Sequence, residues 1–194
     1  MWIFAKIFVG AIYGLLYRFR VVGLDNVPRD GAVILCSNHR SLHDTIVLGL
    51  TSYFRKPHFV AKHQLFKNKL FGRILLSLGA IPINRDNPEL KSLKSAISVL
   101  KGGGALAIFM QGGRRKTIEH EDAKAGVALF AIKGQAPVIP CYVNSTFKLF
   151  SKVHIKFGKP ISFEEYYSKK VRTNELNEIA QRVMDEIINL EESI

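Results

Sequence analysis

The sequence predicts an α/β fold in which helices cover a mostly parallel central sheet. Three observations carry this reading. Short apolar runs recur along the chain (AVILC before Ser37, ALAIFM over Ala105 to Met110, PVIPCYV over Pro137 to Val143), as expected of strands buried on both faces. Between them lie stretches whose apolar residues repeat at helical spacing. The 194 residues, 47% of them hydrophobic, suffice to close one core, and no internal repeat, low-complexity tract or linker divides them.

The N-terminal segment MWIFAKIFVGAIYGLLYRFR carries one side-chain charge, Lys6, before Arg18. It lacks the early basic region and cleavage site of a signal peptide. It also falls short of the about 20 apolar residues that span a membrane. On a helix the less apolar positions, Lys6, Gly10, Tyr13, Gly14 and Tyr17, share one stripe. Trp2, Phe4, Phe8, Ile12, Leu15 and their apolar neighbours cover the remainder, and Arg18 and Arg20 end the segment. Residues 1–20 therefore read as a helix dipped into a bilayer interface, ahead of a domain over 21–194. A buried core helix is the competing reading of the same pattern.

Val21 to Gly23 follows as a short strand, and Asp25 to Gly31, with Pro28, as a turn. Ala32 to Ser37 is a buried strand, Thr45 to Phe54 a helix and His58 to Lys62 a strand. Asn68 to Leu78 is a helix stopped by Gly79, and Ala80 to Asn84 is a strand. The next helix is the best marked. Asn87 is its N-cap, Pro88 its first residue and Glu89 lies in its first turn, with Leu90, Leu93, Ile97 and Leu100 on one face and Gly102 to Gly104 as stop. Ala105 to Met110 is a strand, Asp122 to Lys133 a helix closed by Gly134, and Pro137 to Val143 and Val153 to Phe157 are strands. A last amphipathic helix starts near Asn174, with Leu176, Ile179, Val183, Ile187 and Leu190 on one face.

Lys and Arg number 28 against 16 Asp and Glu, a net charge of +12. Such a surplus favours a polyanionic partner (nucleic acid, an anionic membrane surface or a phosphorylated substrate), or marks a merely basic surface. No RNP-like, KH-like or helix-turn-helix pattern supports nucleic acid. Cys36 and Cys141 lie in apolar runs without CxxC or histidine at ligand spacing, as buried, reduced thiols of a cytoplasmic protein do.

In open α/β sheets ligands gather beyond the carboxyl ends of strands. Three places qualify: Asn38-His39, Arg85, and Gln111-Gly112-Gly113-Arg114. On one continuous helix His39 and Asp44 would point about 140° apart. With His39 in the turn before the helix and Asp44 on its first turn, they converge. The carboxylate then fixes the imidazole tautomer and leaves the other ring nitrogen free to accept a proton. Other readings compete. Asp44 also suits the helix dipole, His39 also suits a polar loop, and His39 with His43 has metal-ligand spacing. The metal reading lacks a third ligand, and His43 fits a structural or pocket-wall role. Arg85 and Arg114 match phosphate bidentately, Gly112 and Gly113 allow close backbone approach, and Arg115 and Lys116 add positive field. Each arginine alone also reads as a solvated surface charge. No GxxxxGK[ST] P-loop exists.

NHRSLHD resembles the NHxxxxD signature of glycerolipid acyltransferases, and within them of bacterial 1-acyl-sn-glycerol-3-phosphate acyltransferases. GAIPINR, FMQGGRRK and QAPVIPCYV resemble the family's second, third and fourth blocks, in order, from about Val21 to Lys159. The resemblance implies an acyltransferase domain in which His39 deprotonates the sn-2 hydroxyl of lysophosphatidic acid and Asp44 holds His39. The oxygen then attacks the thioester of acyl carrier protein or coenzyme A. Arg85, Gln111, Gly112, Gly113 and Arg114 would bind the acceptor phosphate, and Lys62 the thioester end. The family implies no metal and no prosthetic group. It places the protein on the cytoplasmic face of the cell membrane, peripheral or monotopic, on an anionic lipid surface. The third block departs from the family: Gln111 stands for the usual glutamate, Gly113 for threonine and Met110 for proline. The acceptor therefore stays open between lysophosphatidic acid, another lysolipid and another hydroxyl or amine. Transfer to water, lipid binding without catalysis and nucleic-acid binding are the competing functions.

Overall fold

A computed structural model describes residues 2–52, 54–84, 90–115, 117–120 and 123–192. The chain runs α1 (Trp2–Leu16), β1 (Arg18–Val22), β2 (Val33–Ser37), α2 (Leu42–Thr51), β3 (Pro57–Lys62), α3 (Lys69–Ser77), β4 (Ile81–Ile83), α4 (Leu90–Lys101), β5 (Ala105–Phe109), α5 (Gly126–Gly134), β6 (Val138–Asn144), β7 (Lys152–Phe157) and α6 (Thr173–Glu192). Among the described residues the seven strands form one sheet in the order β1-β7-β6-β2-β5-β3-β4. Of its six pairings all but β6 with β7 are parallel, in agreement with the predicted fold class.

Alternation along the strands splits the core into two layers. Ile34, Cys36, Leu106 and Val138 face α4, α5 and α6. Val33, Leu35, Ala105, Ala107 and Ile139 face the opposite side, with Val47 and Leu48 of α2 and Tyr13 of α1. Both faces of β2 are completely buried, which explains its unbroken apolar sequence.

Several boundaries differ from those the sequence suggested. The N-terminal helix ends at Leu16, not Arg20. Arg18–Val22 instead pair with β7, from Arg18 opposite Lys152 to Val22 opposite Lys156, where every second backbone group gains a ladder partner. α2 begins at Leu42 rather than Thr45, because Ser41 caps it and Asp44 completes a capping box. Gly134 does not close α5. It is the helix's last residue, and the left-handed cap is Gln135 at φ 50°. Gly134 is bare for a packing reason: a Cβ there would clash with the Leu100 side chain. Asn87, Pro88, Glu89 and Asp122 lie outside the described residues, so the predicted start of α4 and the first part of the helix predicted from Asp122 do too.

The topology marks where a ligand belongs. β2 and β5 are neighbours, yet α2, which follows β2, packs on one face of the sheet, and α5, which follows β5, on the other. Their carboxyl ends therefore flank a switch point, where such sheets open a crevice. Asn38-His39 leaves β2 there, and Met110 to Arg114 leaves β5.

Candidate active site

His39 lies in the turn between β2 and the capped start of α2. Its Nδ1 is 3.2 Å from Asp44 Oδ2, and the two side chains are nearly buried. The same carboxylate oxygen accepts the backbone N–H groups of Arg40 and Ser41, each at 2.6 Å. Asp44 thus does two jobs with one oxygen: it caps α2 and it fixes the imidazole. The His39 ring is stacked on Phe109 at the end of β5, centroids 3.9 Å apart and planes within 15°. With Nδ1 directed at Asp44, Nε2 has no hydrogen-bond partner among the described residues.

The loop after β5 grips the His39 backbone from both sides. His39 N–H donates to Gln111 Oε1 at 3.0 Å, and Arg115 N–H donates to the His39 carbonyl at 2.8 Å. Gln111 is buried, and its Nε2 donates to the Thr117 carbonyl at 2.8 Å. Its side chain is therefore engaged in holding the turn. A glutamate here would keep the bond to His39 N–H but turn its second oxygen on the Thr117 carbonyl, two acceptors face to face. Gln111→Glu is expected to destabilise the fold by about 1–3 kcal/mol, seen as a lower denaturant midpoint.

Gly112 adopts φ 65°, which lets the loop fold back over the switch point. Gly113 is partly exposed, and Arg114 projects into solvent with no polar partner among the described residues. Lys62 is exposed at the carboxyl end of β3, on the same sheet edge. Arg85 and Lys116 lie outside the described residues. The structure thus brings His39, Asp44 and Gln111 into contact, sets Gly112 to Arg114 in the adjoining loop and leaves Lys62 on the rim.

His43 points elsewhere. Its Nδ1 is 2.6 Å from the Tyr13 hydroxyl, and its ring stacks on Phe147 with centroids 4.7 Å apart, so it binds α1 to α2. Burial pushes the Cys36 and Cys141 thiols up, which leaves neither as a nucleophile at neutral pH.

Two supports escaped the sequence reading. Asn38 is fully buried and clamps β2 to β6, donating to the Val143 carbonyl at 2.9 Å and accepting Val143 N–H at 2.8 Å. Arg40 reaches the Tyr142 hydroxyl at 3.0 Å and pairs with Glu191 near the end of α6, while Tyr142 donates to the same carboxylate at 2.7 Å. Burial works against the Arg40 charge, but Glu191 outweighs it and the net shift is upward. Burial, then the Glu191 bond, raises the Tyr142 phenol. The single polar Asn38 between the apolar strand and His39 was the available signal for that support; nothing local announced Glu191, which lies 151 positions from Arg40.

The Acyltransferase family model matches residues 18–144, from β1 through β6. The chain belongs to the acyltransferase family. This acyltransferase is 33% identical over 147 residues to the 1-acyl-sn-glycerol-3-phosphate acyltransferase of Bacillus subtilis, covering 73% of each chain. It is 29% identical over 174 residues to the Streptococcus pneumoniae protein of the same name, covering 87% of this chain and 64% of that one. Its fold matches the crystal structure of the 1-acyl-sn-glycerophosphate acyltransferase PlsC from Thermotoga maritima with a TM-score of 0.69, over 96% of this acyltransferase and 78% of that chain, at 22% identity.

Proposed function

We propose that the acyltransferase moves an acyl chain from a thioester of acyl carrier protein or coenzyme A to the sn-2 hydroxyl of lysophosphatidic acid, giving phosphatidic acid. The observation that carries this reading is His39 Nδ1 tied to Asp44 Oδ2 at the switch point, with Nε2 unpartnered among the described residues. Nε2 takes the hydroxyl proton as the oxygen attacks the thioester carbonyl. A tetrahedral intermediate forms and collapses, the C–S bond breaks, and the imidazolium returns the proton to the departing thiolate. Asp44 stabilises the imidazolium meanwhile. The exposed Arg114 guanidinium and the Gly112-Gly113 backbone suit the acceptor phosphate. Arg85 is assigned to the same anion by its place in the sequence after β4, and Lys62 to the donor by its place at the carboxyl end of β3. The names of the Bacillus and Streptococcus relatives support this acceptor.

The helix α1 serves as the membrane-facing segment, on the cytoplasmic face of the membrane, and the acyltransferase domain begins at β1, since Arg18 to Arg20, which the sequence reading gave to the segment, pair in the sheet. Among the described residues no helix is long and apolar enough to cross a bilayer. Of the less apolar stripe, Lys6, Gly10 and Tyr13 of α1 and Tyr17 just after it turn inward, while Gly14 is exposed. Tyr13 is buried against His43, Lys6 is half-buried near Trp2, and burial lowers the Lys6 ammonium to about 8. The apolar face turns outward, with Phe4 79% and Leu15 77% exposed. A helix at a water-facing surface has the opposite arrangement; one lying in a bilayer interface has this one.

The test is to incubate purified protein with labelled lysophosphatidic acid and each thioester, separating lipids by chromatography. Phosphatidic acid is expected to form only when acceptor and thioester are both present. Free fatty acid formed at the same rate without acceptor would mean hydrolysis instead of transfer.

A further inference from the structure

The turn between β6 and β7, Ser145 to Ser151, lies at the carboxyl edge of the sheet, on the same edge as His39. It is tightly fixed. Phe147 N–H donates to Ser145 Oγ at 3.0 Å, Ser151 N–H to the Lys148 carbonyl at 2.9 Å, and Phe150 N–H to the Leu16 carbonyl at the end of α1 at 2.8 Å. Arg18 N–H donates in turn to the Ser151 carbonyl at 3.1 Å. Two aromatic residues of this turn, Phe147 at φ 53° and Phe150 at φ 60°, occupy the left-handed region. Bulky side chains avoid that region, and turns normally place Gly, Asn or Asp there. Phe147 has a use inside the protein, as the ring on which His43 stacks. Phe150 has none: it is 60% exposed beside Leu149 at 63%. A strained, well-anchored turn therefore holds an apolar pair out into solvent. Around it stand Arg18, Lys148 and Lys152, all exposed and without a carboxylate partner among the described residues.

We infer that this turn is a second bilayer contact, in which Leu149 and Phe150 insert into an anionic phospholipid surface while Arg18, Lys148 and Lys152 meet its phosphates. Charge complementarity argues for that occupant, as does continuity with α1, whose exposed Leu15 adjoins the Leu16 carbonyl that Phe150 bonds. The inference rests on the proposed membrane role of α1 and adds what one helix cannot supply. A helix lying alone in the interface leaves the domain free to roll about the helix axis. A contact off that axis stops the roll and holds the His39 edge toward the lipid acceptor.

The experiment compares the double variant Leu149→Ser with Phe150→Asn, the charge variant Lys148→Glu with Lys152→Glu, and an α1 variant, Phe4→Ser with Phe8→Ser. Each is sedimented with vesicles of equal phosphatidylglycerol and phosphatidylcholine, and with phosphatidylcholine alone. Asn tolerates the left-handed backbone, so the turn variant is expected to melt no lower than wild type and to keep its rate on acceptor dispersed as monomers. Its binding to the mixed vesicles is expected to fall about tenfold or more. The charge variant is expected to lose binding to mixed vesicles and not to phosphatidylcholine. If the turn variant binds as wild type while the α1 variant is released, the inference is wrong and the α1 reading stands. If both bind as wild type, both readings fall. If wild type is a dimer in gel filtration and the turn variant a monomer with unchanged vesicle binding, the apolar pair serves a second copy and the inference is overturned.

Discussion

His39→Ala is expected to lower kcat/KM for acyl transfer by about 10²–10⁴, the range over which a positioned general base accelerates proton transfer. The protein should remain folded. The contacts that hold this turn come from the His39 backbone, whose N–H meets Gln111 and whose carbonyl meets Arg115, and alanine keeps both. Asp44 keeps the N–H groups of Arg40 and Ser41, so α2 stays capped. What disappears is the ring, with its stack on Phe109 and the nitrogen that takes the proton. Steady-state rates beside a thermal melt check this. A variant that melts with wild type and keeps more than about a tenth of its rate would place the base elsewhere.

How much of this was legible depends on the reach of each signal. β2, β5 and β6 were readable because both faces are buried and their sequences are apolar without interruption. The convergence of His39 and Asp44 was readable because five positions of local chain contain the strand end, the turn and the cap. β1 was misread because its alternation, RFRVV, continues the apolar N-terminal helix, and only pairing with β7, more than a hundred residues later, decides where the helix stops. The antiparallel course of β7 was equally hidden, since a strand's direction follows from its connection and partners. Gln111 was legible as part of a block but not in its role. Its position after β5 suggests a ligand-facing loop, and only the burial of its amide between the His39 N–H and the Thr117 carbonyl shows a brace. Asn38 and Glu191 support the turn from β6 and α6, distances no local pattern encodes.

Asp44 offers the sharpest separation of fold from chemistry. Its Oδ2 accepts Arg40 N–H and Ser41 N–H and faces His39 Nδ1, with the residue 1% exposed. Asp44→Ala removes all three contacts at once. It strands backbone donors near the start of α2 and deletes half of a capping box. The expected loss is about 2–4 kcal/mol of stability, seen as a drop of about 2–4 °C in Tm per kcal/mol, together with loss of transfer. Asp44→Asn is different, since one amide oxygen can occupy the place of Oδ2 and accept the same N–H groups. That variant is expected to melt close to wild type, yet to turn over about 10²–10⁴ more slowly, because the charge that stabilises the imidazolium is gone. Kinetics and denaturant midpoints on both variants read the two roles apart. An asparagine variant as unstable as the alanine one would show that charge, not the oxygen's position, caps α2. A fully active asparagine variant would show that the carboxylate only orients the ring, and the proposed stabilisation of imidazolium would be wrong.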